Sequence, residues 1–187
     1  MNKKIVFWVI LIIFASITKS YSQPGCFLDT CEGNSESMPP ITYQVNQVGC
    51  GTCTYTVNYS VCYQDGVSFF LINSIAADIT NPPCCFGTAQ NDPIISGYIL
   101  EEAARLISLT GTGSPNNRYS IYTPSRCWRW EGLLGPYPIH DAVFVPCGDG
   151  ISCCRFDYEV IEGESDLIGI TPINEEECSG DGCFQIC

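Results

Sequence analysis

The sequence predicts an α+β fold: one disulfide-rich domain, mainly antiparallel β-sheet, with one central helix. Three observations carry that expectation. Fourteen cysteines sit in a 187-residue chain. Several stretches alternate apolar and polar residues with the period of two expected of a half-buried strand. A single long segment repeats its apolar residues at helical spacing instead.

The chain opens with two lysines, Lys3 and Lys4, ahead of an apolar run from Ile5 to Ile17 and a small-x-small site at Ser20-Tyr21-Ser22. This order is that of a secretory signal peptide, 1–22. The run is shorter than the ~20 apolar residues a membrane-crossing helix needs, so no membrane span is expected once the signal is cleaved. All three lysines (Lys3, Lys4, Lys19) belong to that segment, leaving five arginines against twenty acidic residues and a net charge of −15. A body this acidic repels phosphate backbones and anionic lipid, which excludes nucleic acid as a partner.

Residues 23–187 then form one secreted domain. Residues 23–40 are rich in turn formers and read as a loop ordered by Cys26 and Cys31. Ile41, Tyr43 and Val45 alternate, and from Thr54 to Gln64 the residues Tyr55, Val57, Tyr59, Val61 and Tyr63 share one face while Thr54, Thr56, Asn58, Ser60 and Cys62 share the other. Asp65-Gly66 supplies a tight hairpin turn, and residues 67–75 return as an apolar strand, so a three-strand antiparallel meander is expected. Asp92-Pro93 is a helix N-cap followed by a first-turn proline. The helix runs from Ile94 to Leu109 with Ile95, Ile99, Ala103 and Leu106 on its apolar side, weakened by Gly97 and ended by the glycine-rich 110–118. Strand character resumes in "RYSIY", "CWRW", "AVFVP" and Cys154–Val160. The segments 41–90 and 140–187 echo each other around the helix 93–109, a weak pattern that an old duplication and chance composition explain equally well.

The even number of cysteines in an exported chain predicts structural disulfides among Cys26, Cys31, Cys50, Cys53, Cys62, Cys84, Cys85, Cys127, Cys147, Cys153, Cys154, Cys178, Cys183 and Cys187. Zinc is the rival reading of Cys50-Gly-Thr-Cys53, but no second pair stands at a matching distance. Strand alternation sends Cys153 and Cys154 to opposite faces, so each should find its own partner. Cys62, on the polar face of its strand, should tie that face to a covering loop.

Candidate chemistry is sparse. His140 is the only histidine and its neighbour Asp141 would point away from it on an extended segment; without a G-x-S-x-G elbow, no catalytic residue is assigned. Asp149 and Asp181 sit in glycine-flanked turns that lack the calcium-loop pattern, which leaves calcium open. No cofactor is predicted. The densest stretch is "RCWRWEGLLGPYPIH", residues 126–140. Trp128 and Trp130 are two apart and face the same way if extended, and with Tyr137 they make a candidate ligand strip suited to sugar rings or a protein hot spot. The same rings serve equally as core residues beneath the helix.

The block Cys127-Trp-Arg-Trp, then Val145-Pro-Cys147, then Cys153-Cys154 with its alternating strand, closing on Cys178 and "CFQIC", resembles uncharacterised cysteine-rich secreted proteins of the Bacteroidota. The resemblance covers residues 50–187 and implies export but no activity and no site residue. Many such proteins resemble cargo carrying a C-terminal sorting domain, whereas this sequence runs to Cys187 without one. The expectation is an extracytoplasmic structural, adhesion or partner-binding protein without enzymatic activity, its partner a protein or glycan at the cell surface. Two alternatives remain: a carbohydrate-binding module using the aromatic strip, and a small secreted hydrolase or protease inhibitor.

Overall fold

A computed structural model describes residues 26, 31, 35–47, 50–64, 67–78, 92–111, 115–132, 141–147, 152–174, 177–178 and 182–187. Asp65-Gly66, Cys84, Cys85, Tyr137, His140, Asp149 and Asp181 lie outside the described residues, and with them the expectations placed on them.

Among the described residues the elements follow the α+β expectation. The strands are β1 (Glu36–Ser37), β2 (Ile41–Gln47), β3 (Gly51–Gln64), β4 (Val67–Asp78), β5 (Arg118–Tyr122), β6 (Cys127–Glu131), β7 (Asp141–Pro146), β8 (Cys153–Ile161), β9 (Glu164–Ile173) and β10 (Phe184–Gln185). One helix, α1 (Pro93–Thr110), separates β4 from β5. The meander is present: β2 runs antiparallel to β3 from Ile41↔Val57 to Gln47↔Gly51, and β3 to β4 from Tyr55↔Ala77 to Gln64↔Val67.

The sheet forks at β4. Phe69–Leu71 pair in parallel with β5, whereas Ile75–Asp78 pair antiparallel with β7. Between these two stretches lies Asn73, the extra residue of a bulge where the β3–β4 register shifts from Asn58↔Ser74 to Tyr59↔Ile72. A bulge bends its strand and raises the local twist. Here that twist parts the two stretches of β4, so the edge of β4 opposite β3 carries two wings, β5-β8-β9 from its first stretch and β7-β6-β10 from its second. The bulge is held by side chains: Asn73 donates from Nδ2 to Ser60 Oγ at 2.8 Å and Asn58 from Nδ2 to Ser74 Oγ at 3.1 Å.

Helix α1 lies on one face of the forked sheet. Asp92 caps it, Oδ1 accepting from the amides of Ile94 (2.9 Å) and Ile95 (3.3 Å), with Pro93 in the first turn as expected. Its buried side comprises Ser96, Ile99, Leu100, Ala103, Ala104, Ile107 and Ser108. The face expected from the sequence is therefore rotated. Ile99 and Ala103 are inside, but Ile95 and Leu106 are only half-buried. A helix seated between two wings buries a broad face, and small residues such as Ser96 and Ala104 let the sheet approach. At the C-terminal end Gly111 meets Tyr119, whose hydroxyl donates to the Gly111 carbonyl at 3.0 Å. A Cβ on Gly111 would stand 2.2 Å from the Tyr119 ring, so the position admits no side chain without movement.

The main core fills the space between α1 and the sheet, from Tyr43 and Val45 on β2 through Tyr55 and Val57 to Phe144, Phe156 and Tyr158. A second, smaller cluster of Cys26, Cys31, Cys62, Leu71, Tyr122, Cys153 and Ile173 covers the opposite face.

Disulfides join the layers. Cys31–Cys62 and Cys26–Cys153 tie the N-terminal segment across the second face, the role alternation assigned to Cys62. Cys154 pairs instead with Cys187, so the adjacent Cys153 and Cys154 serve opposite faces. Cys127–Cys178 and Cys147–Cys183 complete three anchors on the C-terminal segment. Cys50 and Cys53 are both disulfide-bonded. Their sulfurs stand 4.0 Å apart, too far to be bonded to each other.

Candidate interaction surface

The aromatic strip lies within the core. Trp128 is fully buried and Trp130 nearly so, both on the helix-covered face of β6. Trp128 Nε1 donates to the Ser125 carbonyl at 2.9 Å, and Trp130 Nε1 to Ser96 Oγ on the helix, also at 2.9 Å. Their rings enclose Phe144, with centroids 5.0 Å and 4.8 Å away, and Phe144 in turn stacks on Phe184 at 5.7 Å. Of the two readings the sequence allowed for these indoles, the coordinates place them in the second, as core beneath the helix. With both N–H groups spent inside and both faces packed, they form no exposed platform.

Buried hydroxyls of the main core also fasten the helix. Tyr43 on β2 donates to the Ile99 carbonyl at 2.9 Å and Tyr158 on β8 to the Glu101 carbonyl at 3.0 Å. Ser108 and Ser165 share a hydrogen bond between α1 and β9. Tyr55 accepts from the Gln47 side-chain amide within the same interior. Burial is the main cause of the raised pKa at each of these tyrosines. It holds Tyr43 well above the ordinary phenol value, with Tyr55 and Glu102 adding to the shift, and pushes Tyr55 up to about 12 against the opposing pull of Gln47. Tyr158 is raised by burial and then by Glu101 and Glu102, with Arg105 opposing. These phenols remain protonated, and thus able to donate, across the whole physiological range.

Cys127, Cys178 and Cys183 gather their sulfurs within 4.8 Å of one another. All three are oxidised, so the cluster is two bridges side by side and offers no thiolate for a metal. Cys50 and Cys53 are likewise consumed as disulfides. The zinc spacing of that pair is thereby accounted for.

The cations are committed internally as well. Arg105 pairs with Glu102, Arg118 with Glu159, Arg129 with Glu131 and Arg155 with Asp157. Arg126 donates to the carbonyls of Asn174 (2.8 Å) and Cys187 (2.9 Å), fastening the C-terminus. These are all five arginines of the chain. The surplus of negative charge is therefore offset by no unengaged guanidinium.

Besides Tyr63 on β3 and Ile94 and Tyr98 on α1, the surface presents apolar side chains on β9. This ten-residue strand pairs with β8 on one side, from Cys153↔Ile173 to Ile161↔Glu164, and ends its wing. Among the described residues no strand pairs with its outer edge. Its register shifts between Asp157↔Gly169 and Tyr158↔Leu167, leaving Ile168 as the extra residue. Leu167, Ile168 and Ile170 are 37 %, 52 % and 42 % exposed, and Ile161 before the turn is 56 % exposed. Leu167 pairs with Tyr158 and Ile170 with Phe156, which places both on the helix-bearing face at the margin of the core. Acidic Glu162, Glu164 and Asp166 surround the turn end.

In the sequence these residues form only a short apolar stretch after Asp166. Their acidic flank was the available signal, but nothing local separates a buried strand from one at a sheet margin. Compared with protein-family models, curated proteins and solved structures, the chain has no significant match to any of them. The geometry defines a disulfide-rich α+β domain in which, among the described residues, the aromatic side chains are largely internal and β9 is the longest strand with an unpaired edge.

Proposed function

We propose that this chain is an extracytoplasmic, disulfide-stabilised binding protein, built for durability at the cell surface and without enzymatic activity. The observation that carries the reading is the division of labour among its side chains. Indoles, buried tyrosines, cysteines and arginines are spent on holding the body together, while four of the seven large apolar residues exposed among the described ones, Ile161, Leu167, Ile168 and Ile170, lie on the β8–β9 hairpin. Bridges of this number suit an oxidising compartment, since each typically adds roughly 2 to 4 kcal/mol and persists only where thiols are not reduced. A partner-binding role fits the open margin better than a glycan platform does, because two of the three rings proposed for sugar stacking lie in the core.

The test is in the native envelope. Cells expressing the full chain are fractionated, the unreduced protein is titrated for thiols, and short amine- and carboxylate-reactive crosslinkers are applied before extraction. The expected result is a protein outside the cytoplasm with no titratable thiol, crosslinked to one discrete protein partner. A cytoplasmic protein rich in free thiols, or an extracytoplasmic one that crosslinks to nothing, overturns the proposal.

A further inference from the structure

We infer that the open edge of β9 is a docking site for an extended, cationic polypeptide segment, which adds to the sheet as a further strand. The inference rests on the binding reading above and names the partner's chemistry. Glu164–Ile173 presents a run of strand backbone with no partner along its outer side among the described residues. Such an edge is a template for another chain, and proteins ordinarily blunt it with lysine, inward-pointing charge, a covering element or a very short strand. Two further devices of this kind do stand on β9, the bulge at Ile168 and Pro172, which has no amide hydrogen to offer a guest; between the turn and Pro172, however, the strand has no lysine, and Leu167, Ile168 and Ile170 are exposed. The bulge at Ile168 interrupts the ladder and divides the edge into two shorter segments, 164–167 and 169–173. A guest therefore needs a kink or a small residue opposite Ile168.

Charge decides which guest. Glu162, Glu164 and Asp166 lie at the turn end of the edge, the chain carries a formal net charge of −12, and all five arginines are already engaged within the fold. A second copy of the chain would bring the same uncompensated charge to the contact, and like charges facing each other across strands are destabilising. A strand alternating β-branched apolar residues with lysine or arginine meets both demands. Its backbone completes the ladder, its apolar side chains cover Leu167 and Ile170, and its cations face the acidic end.

The test uses the intact, oxidised protein and synthetic peptides of about nine residues, long enough to run along the ten-residue strand β9. One alternates valine with lysine, a second replaces lysine by glutamate, and a third carries N-methyl groups on alternate amides of the lysine peptide. Binding is followed by calorimetry and by amide exchange along β9. The lysine peptide is expected to bind and to slow exchange within 164–173, while the other two bind at least about tenfold more weakly, having lost the charge match or the ladder donors. The double variant Leu167→Thr/Ile170→Thr keeps strand-forming residues and is expected to lose about tenfold in affinity with unchanged tryptophan fluorescence.

Absence of binding by the lysine peptide, equal binding of its N-methylated form, or self-association of the protein through β9 in sedimentation each overturns the inference. The same double variant carried into the envelope crosslinking separates the two readings. A partner that persists on the variant leaves the binding role standing and removes β9 as its site.

Discussion

Two neighbouring half-cystines offer the sharpest test of how sulfur holds this fold. Cys153 and Cys154 are adjacent, both fully buried, and differ in what they close. Cys26–Cys153 spans 127 residues of sequence and Cys154–Cys187 spans 33. Other bridges shorten both loops in the denatured chain. Through Cys31–Cys62 and the C-terminal bridges the first still closes about 80 residues, and through Cys147–Cys183 the second closes only about 12, which by loop-closure entropy correspond to about 4.5 and about 3 kcal/mol. The pair Cys26→Ala/Cys153→Ala should therefore cost about 1.5 kcal/mol more than Cys154→Ala/Cys187→Ala. Equal burial of the adjacent cysteines keeps the packing loss at 153 and 154 comparable. Urea unfolding of each oxidised double variant, read by tryptophan fluorescence, measures the difference, because Trp128 and Trp130 pass from core to solvent. Equal costs, or a greater cost for the Cys154–Cys187 pair, would refute the premise that the long closure through the N-terminal segment is the more stabilising one.

Three further outcomes follow from the same geometry. Stability should be level below pH ~10, the ordinary phenol value, and fall above it, because the denatured chain then releases tyrosine protons that Tyr43, Tyr55 and Tyr158 retain when folded, Tyr55 until about 12. Urea midpoints measured alongside phenolate absorbance check this, and a midpoint that holds steady through pH 12 contradicts it. Glu162 occupies a left-handed conformation at φ 53° beside Gly163 at φ 85°, the pattern of a tight two-residue hairpin turn. Glu162→Asn should raise stability by about 0.5 to 1 kcal/mol, since asparagine tolerates that conformation better, and a lowered thermal midpoint would count against it. Peptide mapping of the unreduced protein should find Cys84 and Cys85 joined to Cys50 and Cys53, the cysteines left after the other five bridges. A free thiol at any of the four would contradict that assignment.

Much of the fold was legible in short windows. Alternation from Thr54 to Gln64 marked β3, and the Asp92-Pro93 pair marked the first turn of α1. The opposite directions of Cys153 and Cys154 followed from the pleat and required no knowledge of their partners. The helix face was legible only in part. Periodicity favoured the large residues Ile95 and Leu106, whereas the wings bury a broader face that includes Ser96, Ala104 and Ser108. The candidate surface was hardly legible at all, because Trp128 and Trp130 share a face whether that face meets solvent or helix.

Local periodicity states which residues share a side of an element, and that was enough for the α+β class, the meander, the helix at 93–110 and the separate duties of neighbouring cysteines. It carries no information about which strand lies beside which. The sharing of β4 between a parallel β5 and an antiparallel β7, the inward turn of the tryptophans and the marginal place of β9 arise from contacts between segments far apart in the chain. Those contacts are selected by how the whole set of apolar faces can be covered at once, with the twist at Asn73 opening the fork and the bridges fastening it.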